Sequence, residues 1–81
     1  MHHELKTLPP FFSAVADKIK KFEIRENDRN FQVGDWLHLK EWDGEKFTGN
    51  DVYVEVTYIT GYKQLPGYVV MSIELFEAYE P

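Results

Sequence analysis

Between Ile19 and Phe22 the spacing of apolar residues changes from helical to extended, and it does not change back. Before that point Phe11, Phe12, Val15 and Ile19 recur at intervals of one, three and four, the stripe of a helix with one buried face. After it, alternation by two governs almost every segment, as in strands with one face covered. A chain patterned this way makes one early helix and then a sheet, which places it in the α+β class.

The element boundaries follow from punctuation. Residues 3–8 read as a short strand that Pro9-Pro10 ends, and Pro10 suits a first helical turn, where its missing N–H would have no partner anyway. A helix is expected over about 10–18, packed by Phe11, Phe12 and Val15. In the next strand Phe22 and Ile24 point one way, while Lys21, Glu23 and Arg25 point the other as a charged outer row. Residues 26–30, Glu-Asn-Asp-Arg-Asn, are turn chemistry, and Val33-Gly34-Asp35 makes a second tight turn in which Gly34 takes positive φ. Trp36 to Trp42 alternates, with Trp36, His38, Lys40 and Trp42 on one face and Leu37, Leu39 and Glu41 on the other.

Asp43-Gly44 is a hairpin signal, and the return strand begins at about residue 45. Gly49-Asn50-Asp51 suggests a bulge or second turn within it, and Val52, Val54, Val56 and Tyr58 form its buried row. Gly61 to Gly67 is a loop, and Tyr68 to Leu75 is the last strand. Five strands, mostly antiparallel and bent at Gly34, Gly49 and Gly67, favour a small closed or nearly closed β-barrel, because closure removes exposed edges. The N-terminal helix would cap one end. No repeat and no Pro/Ser/Gly-rich linker divides the chain, so residues 1–81 read as a single domain.

Composition narrows the function classes. The chain has no cysteine, which excludes disulfides, thiolate metal sites and a cysteine nucleophile, and fits a cytoplasmic address. The longest apolar run, Tyr68-Val69-Val70-Met71, is far short of the roughly 18–20 residues that cross a bilayer. No signal-peptide pattern opens the chain, and no membrane association is expected. The net charge of −5 argues against a general nucleic-acid binder, but it is unevenly distributed. Residues 1–29 hold six Lys/Arg against five acids, and residues 30–81 hold three against nine. An anion-binding surface would therefore be built from the first third.

The densest chemistry there is Lys20-Lys21-Phe22-Glu23-Ile24-Arg25 followed by Asn27-Asp28-Arg29. Arginine offers a planar fork for a phosphate or a base edge. The plainer reading is a solvated face on which Glu23 pairs with a neighbouring cation, worth about 0–1 kcal/mol. His2, His3 and His38 lie on separate elements without metal-pair spacing, so no metal site is expected. Asp43 and Glu45 are hairpin-turn residues rather than an acid/base pair. Among the aromatics, Tyr53 and Tyr62 are the ones expected at the surface.

The run Lys20 to Asp35, with His3-Glu4-Leu5-Lys6-Thr7 before it and Phe47-Thr48-Gly49 after it, resembles the ASCH family of the PUA-like superfamily, and within it a small phage-associated branch. The family signature, G-x-K-x-x-E-x-R, falls on Lys18, Lys20, Glu23 and Arg25, with Lys18 standing where the family has glycine. The resemblance implies a PUA-like barrel and a cleft between barrel and helix that binds RNA or a nucleotide-like ligand. Lys6, Lys20, Arg25 and Arg29 would hold phosphate, Glu23 would orient a cation or accept from a base, and Asn27 would complete the site. Strict alternation leaves Lys20 off the charged face, which agrees with the signature if the strand begins after it.

Some relatives in that family look like amidohydrolases acting on acylated cytidine, through a lysine, a threonine at the position of Glu23, and an acid in a helical insertion before the last strand. Only the lysine is present here, and residues 60–66 contain no acid. The chain is therefore read as a binder that needs no cofactor. If it is an enzyme, Lys20 and Glu23 are the candidate catalytic residues, as a ribonuclease or other nucleotide-directed hydrolase on the same cleft. A phage or host interaction protein, using the acidic and aromatic second half to hold a protein partner, is the other alternative.

Overall fold

A computed structural model describes residues 1–76. The elements are β1 (His2–Thr7), α1 (Pro9–Ala16), β2 (Phe22–Glu26), β3 (Trp36–Trp42), β4 (Phe47–Thr60) and β5 (Tyr68–Leu75). They form one five-stranded sheet in the order β1-β3-β4-β5-β2. β1 runs parallel to β3, with Leu5 opposite Leu39, and every other pairing is antiparallel. The sheet curls into a half-barrel with one short helix, and the barrel is not closed: β1 and β2 stay as edges with no ladder between them.

The concave side is filled by Leu5, Val15, Phe31, Leu37, Leu39, Val54, Val56, Val69, Met71 and Ile73. Leu37 and Leu39 are inward on β3, as the alternation predicts, and Glu41 follows them to the inside. Its carboxylate accepts from Thr48 Oγ1 at 2.7 Å and Asn50 Nδ2 at 3.1 Å. Those donors come from the expected irregularity at Gly49: the register slips between Lys40↔Asp51 and Trp42↔Phe47. The Asp43-Gly44 hairpin forms, with Asp43 Oδ1 accepting from the backbone N–H groups of Glu45 and Lys46 at 2.9 Å each. The Lys46 and Glu45 bonds hold the Asp43 carboxyl below its ordinary range.

Four expectations are corrected. The helix ends at Ala16, not at about residue 18, so Ile19 lies beyond it and is 77% exposed. Of its three expected packing residues, Phe12 and Val15 are buried while Phe11 is exposed. On β4 the buried row stops at Val56, because a register shift before Tyr58 turns that ring to solvent. The largest reversal is β2: Glu23 is 3% exposed and faces in, while Phe22 and Ile24 are 44% and 50% exposed. An edge strand covered on its inner side by polar groups can bury a carboxylate that is fully paired, and period alone does not say which of two alternating faces is inside.

The stop of α1 is explicit. Ile19 N–H donates to Ala14 O at 2.9 Å and Lys18 N–H to Val15 O at 3.0 Å, the paired bonds of a Schellman ending. Lys18 takes the left-handed position, φ 62°. The chain then turns directly into β2, which sets Lys20 in the turn before the strand.

Candidate functional site

Glu23 organises the site. Its Oε1 accepts from Lys20 Nζ at 2.6 Å and its Oε2 from Arg25 Nε at 2.9 Å, so both carboxylate oxygens are engaged. Lys20 also donates to Phe22 O at 2.5 Å and sits 4.7 Å from the centre of the Phe22 ring. The strand thus begins after Lys20, which bends back over it. Charge-assisted bonds of this kind fix side chains more firmly than neutral ones. The cluster is therefore not the solvated surface pairing that composition allows: the acid is inside and two cations cover it.

Across from this cluster stand the end of β1 and the start of α1. Lys6, Thr7, Leu8 and Phe11 form one wall and Lys20 with Phe22 to Arg25 the other, around a cleft of about 550 Å³. The exposed rings of Phe11 and Phe22 belong to this cleft, which accounts for apolar side chains that the core does not use. Arg25 Nη2 donates across the gap to Lys6 O at 3.0 Å and approaches Thr7 Oγ1 at 3.5 Å. Arg29 Nη1 donates to Glu4 O at 2.5 Å. Two guanidinium groups thus span the seam between β1 and β2 that no backbone ladder closes.

Four of the six predicted site residues, Lys6, Lys20, Glu23 and Arg25, come together in the cleft. Arg29 lies in a neighbouring groove of about 440 Å³ with Glu4, Lys6, Arg25, Lys40 and Phe47. Asn27 is not among the residues lining either hollow. Its Oδ1 accepts from Phe31 N–H at 2.8 Å and its own N–H donates to Gly67 O at 2.8 Å, so it builds the turn after β2.

Sequence reasoning missed the outer face of β1, β3 and β4. There Glu4 is opposite His38, and His38 opposite Tyr53. The His38 ring stacks on Tyr53 at 4.2 Å, with Nε2 2.5 Å from Asp51 Oδ2 and Nδ1 3.8 Å from Glu4 Oε1. His2 joins them, its ring 6.1 Å from that of His38. The residues lie far apart in the chain, and only the parallel β1–β3 register brings them into one row. A second histidine pairing, His3 Nε2 with Asp35 Oδ2 at 2.9 Å, is internal. Burial opposes charge on Asp35, but bonds from His3, the Gln32 N–H and the terminal ammonium outweigh it and hold the carboxyl below its ordinary value. Among the described residues no group of three or more His, Asp or Glu is placed to hold a metal ion. No helix among them is long and apolar enough to cross a membrane.

Comparison with known proteins adds two findings. Residues 2–73 match the family model described as a domain of unknown function, DUF3850. The chain is also 40% identical over 58 residues to an "uncharacterized 12.9 kDa protein in GpA 3'region" of Escherichia phage P2, an alignment covering 72% of this chain and 53% of that protein. The match therefore spans about half the length of the phage relative.

Proposed function

We propose that this chain, which belongs to the DUF3850 family, binds RNA or a nucleotide-like ligand in the cleft between α1 and the β1–β2 seam. The observation that carries the reading is the buried Glu23 held between Lys20 and Arg25 at the cleft wall. A fully paired carboxylate presets two cations at the mouth of a hollow whose floor and rims carry exposed aromatic rings. Phosphate is attracted to the cations, and a base has faces of Phe11 and Phe22 to rest on. Lys6 adds a third positive group from the opposite wall.

The reading also draws on the resemblance to the ASCH family. The glycine of that family's signature falls at Lys18, the residue of this turn with left-handed backbone. The signature's lysine, glutamate and arginine fall on the three side chains that contact one another. A PUA-like architecture is part of the same proposal, supported by the half-barrel and the helix beside its open seam.

Short single-stranded RNAs titrated at low salt test the reading, with Lys6→Glu as the variant because Lys6 is exposed and leaves the Glu23 cluster intact. Binding by the parent, weakened tenfold or more in the variant, is expected, with end-labelled RNA recovered intact. No measurable binding, or an unchanged affinity in Lys6→Glu, overturns it.

A further inference from the structure

The cleft does not stop at the seam. Lys6 and Arg25 line both it and the neighbouring groove, so the two hollows meet over the gap that Arg25 and Arg29 bridge. Beyond the gap the groove opens on the outer face at Lys40 and Phe47. Lys6 Nζ stands 4.1 Å from the centre of the Trp42 ring, Lys40 Nζ 4.6 Å from that of Phe47, and the two rings meet edge to face at 5.0 Å. Phe47 is 45% exposed. Cations and aromatic faces therefore recur on both sides of the seam, with Arg25 and Arg29 between them.

We infer that the ligand is a single-stranded RNA segment several nucleotides long, laid across the β1–β2 seam from the Phe11–Phe22 cleft to the Trp42–Phe47 face. This rests on the nucleotide-binding reading above and extends it from one subsite to a track. Each hollow alone is the size of a small-ligand pocket. Joined, they offer two stacking stations separated by a strip of positive charge, the arrangement that follows a flexible backbone and tolerates any base. Of the described acids, Glu23 lines the cleft paired with Lys20 and Arg25, Glu4 lines the groove with its carboxylate 3.8 Å from His38 Nδ1, and Asp51 stands opposite Lys40.

The test is affinity as a function of length, using uridine monophosphate and oligouridylates of two to six nucleotides, with Phe47→Ala and Lys40→Gln as variants. The expected result is that affinity climbs about tenfold or more between one and four nucleotides, the scale of one further stacked base. In Phe47→Ala the tetramer-to-monomer ratio should fall to about twofold. In Lys40→Gln, which removes one charge from the outer face of β3, the slope of log affinity against log salt for the tetramer should shrink by about 0.7. If the monophosphate binds but length brings no gain, or if both variants keep the parent's ratio and slope, the track is wrong and the cleft reading stands. If neither monomer nor oligomer binds, both fail.

Discussion

Lys18 is the residue at which the backbone between helix and sheet is most directly testable. It sits at φ 62° in the Schellman ending of α1, a conformation that crowds any Cβ against the following carbonyl. For an L-residue the left-handed position costs about 1–2 kcal/mol relative to glycine. Glycine returns about 0.4–1 kcal/mol of that through its greater freedom in the unfolded chain. The net gain from Lys18→Gly is then about 0.5–1 kcal/mol.

With 81 residues and an unfolding entropy of about 2.1 cal/mol/K per residue, 1 kcal/mol corresponds to roughly 6 °C. The Lys18 side chain has contacts of its own, so the proper baseline is Lys18→Ala, which removes them and keeps the strained backbone. Thermal unfolding followed by circular dichroism should place Lys18→Gly about 3–6 °C above Lys18→Ala. Equal midpoints in the two variants would show that the backbone stores no strain there and would refute the reasoning.

Three further outcomes are expected. Glu23→Ala leaves Lys20 and Arg25 facing one another without their shared anion, and should lower unfolding free energy by about 2–3 kcal/mol in urea titration, below the full cost of a broken buried pair because both cations can swing toward water. Asp35 has a depressed pKa in the folded state, so its contribution is fully present above the unfolded value near 3.8 and is lost as pH falls through the lower folded value. The stability gap between the parent and Asp35→Asn should accordingly be open at about pH 5 and close as the pH falls below about 4, as read from urea midpoints. Glu4→Gln removes an acid that lines the groove beside Arg29 and Lys40 and should raise affinity for a uridine tetranucleotide two- to threefold at low salt, with the gain vanishing at high salt.

The strand pattern of this chain was legible where both faces of a strand differ in kind. β3, whose inward residues are Leu37 and Leu39, follows directly from alternation. β2 defeated the same rule because each face carries a coherent set, Phe22 and Ile24 against Glu23 and Arg25. The winning face was decided by hydrogen bonds to Lys20 and Arg25, which no spacing reveals.

The site was half legible. Local sequence placed Lys20, Glu23 and Arg25 together, since they lie within six positions. Lys6 joins them through tertiary structure, by the parallel docking of β1 on β3. Alternation puts Lys40 and Trp42 on one face of a strand but does not set them beside Lys6 and Phe47, because that relation depends on the Lys6↔Lys40 register and on the β3–β4 hairpin. Asn27 looked like part of the cluster by proximity, and its amide serves the turn.

The arginine-spanned seam has a further consequence for how the chain behaves in company. β1 is an edge strand, and such an edge offers carbonyl groups on which another chain can build. Glu4 O and Lys6 O, two residues apart and so on the same side of the strand, are the groups that Arg29 and Arg25 occupy. The guanidinium groups therefore act as stoppers against strand addition. A protein stripped of both would present an unsealed, ready-made template, and its first symptom would be self-association.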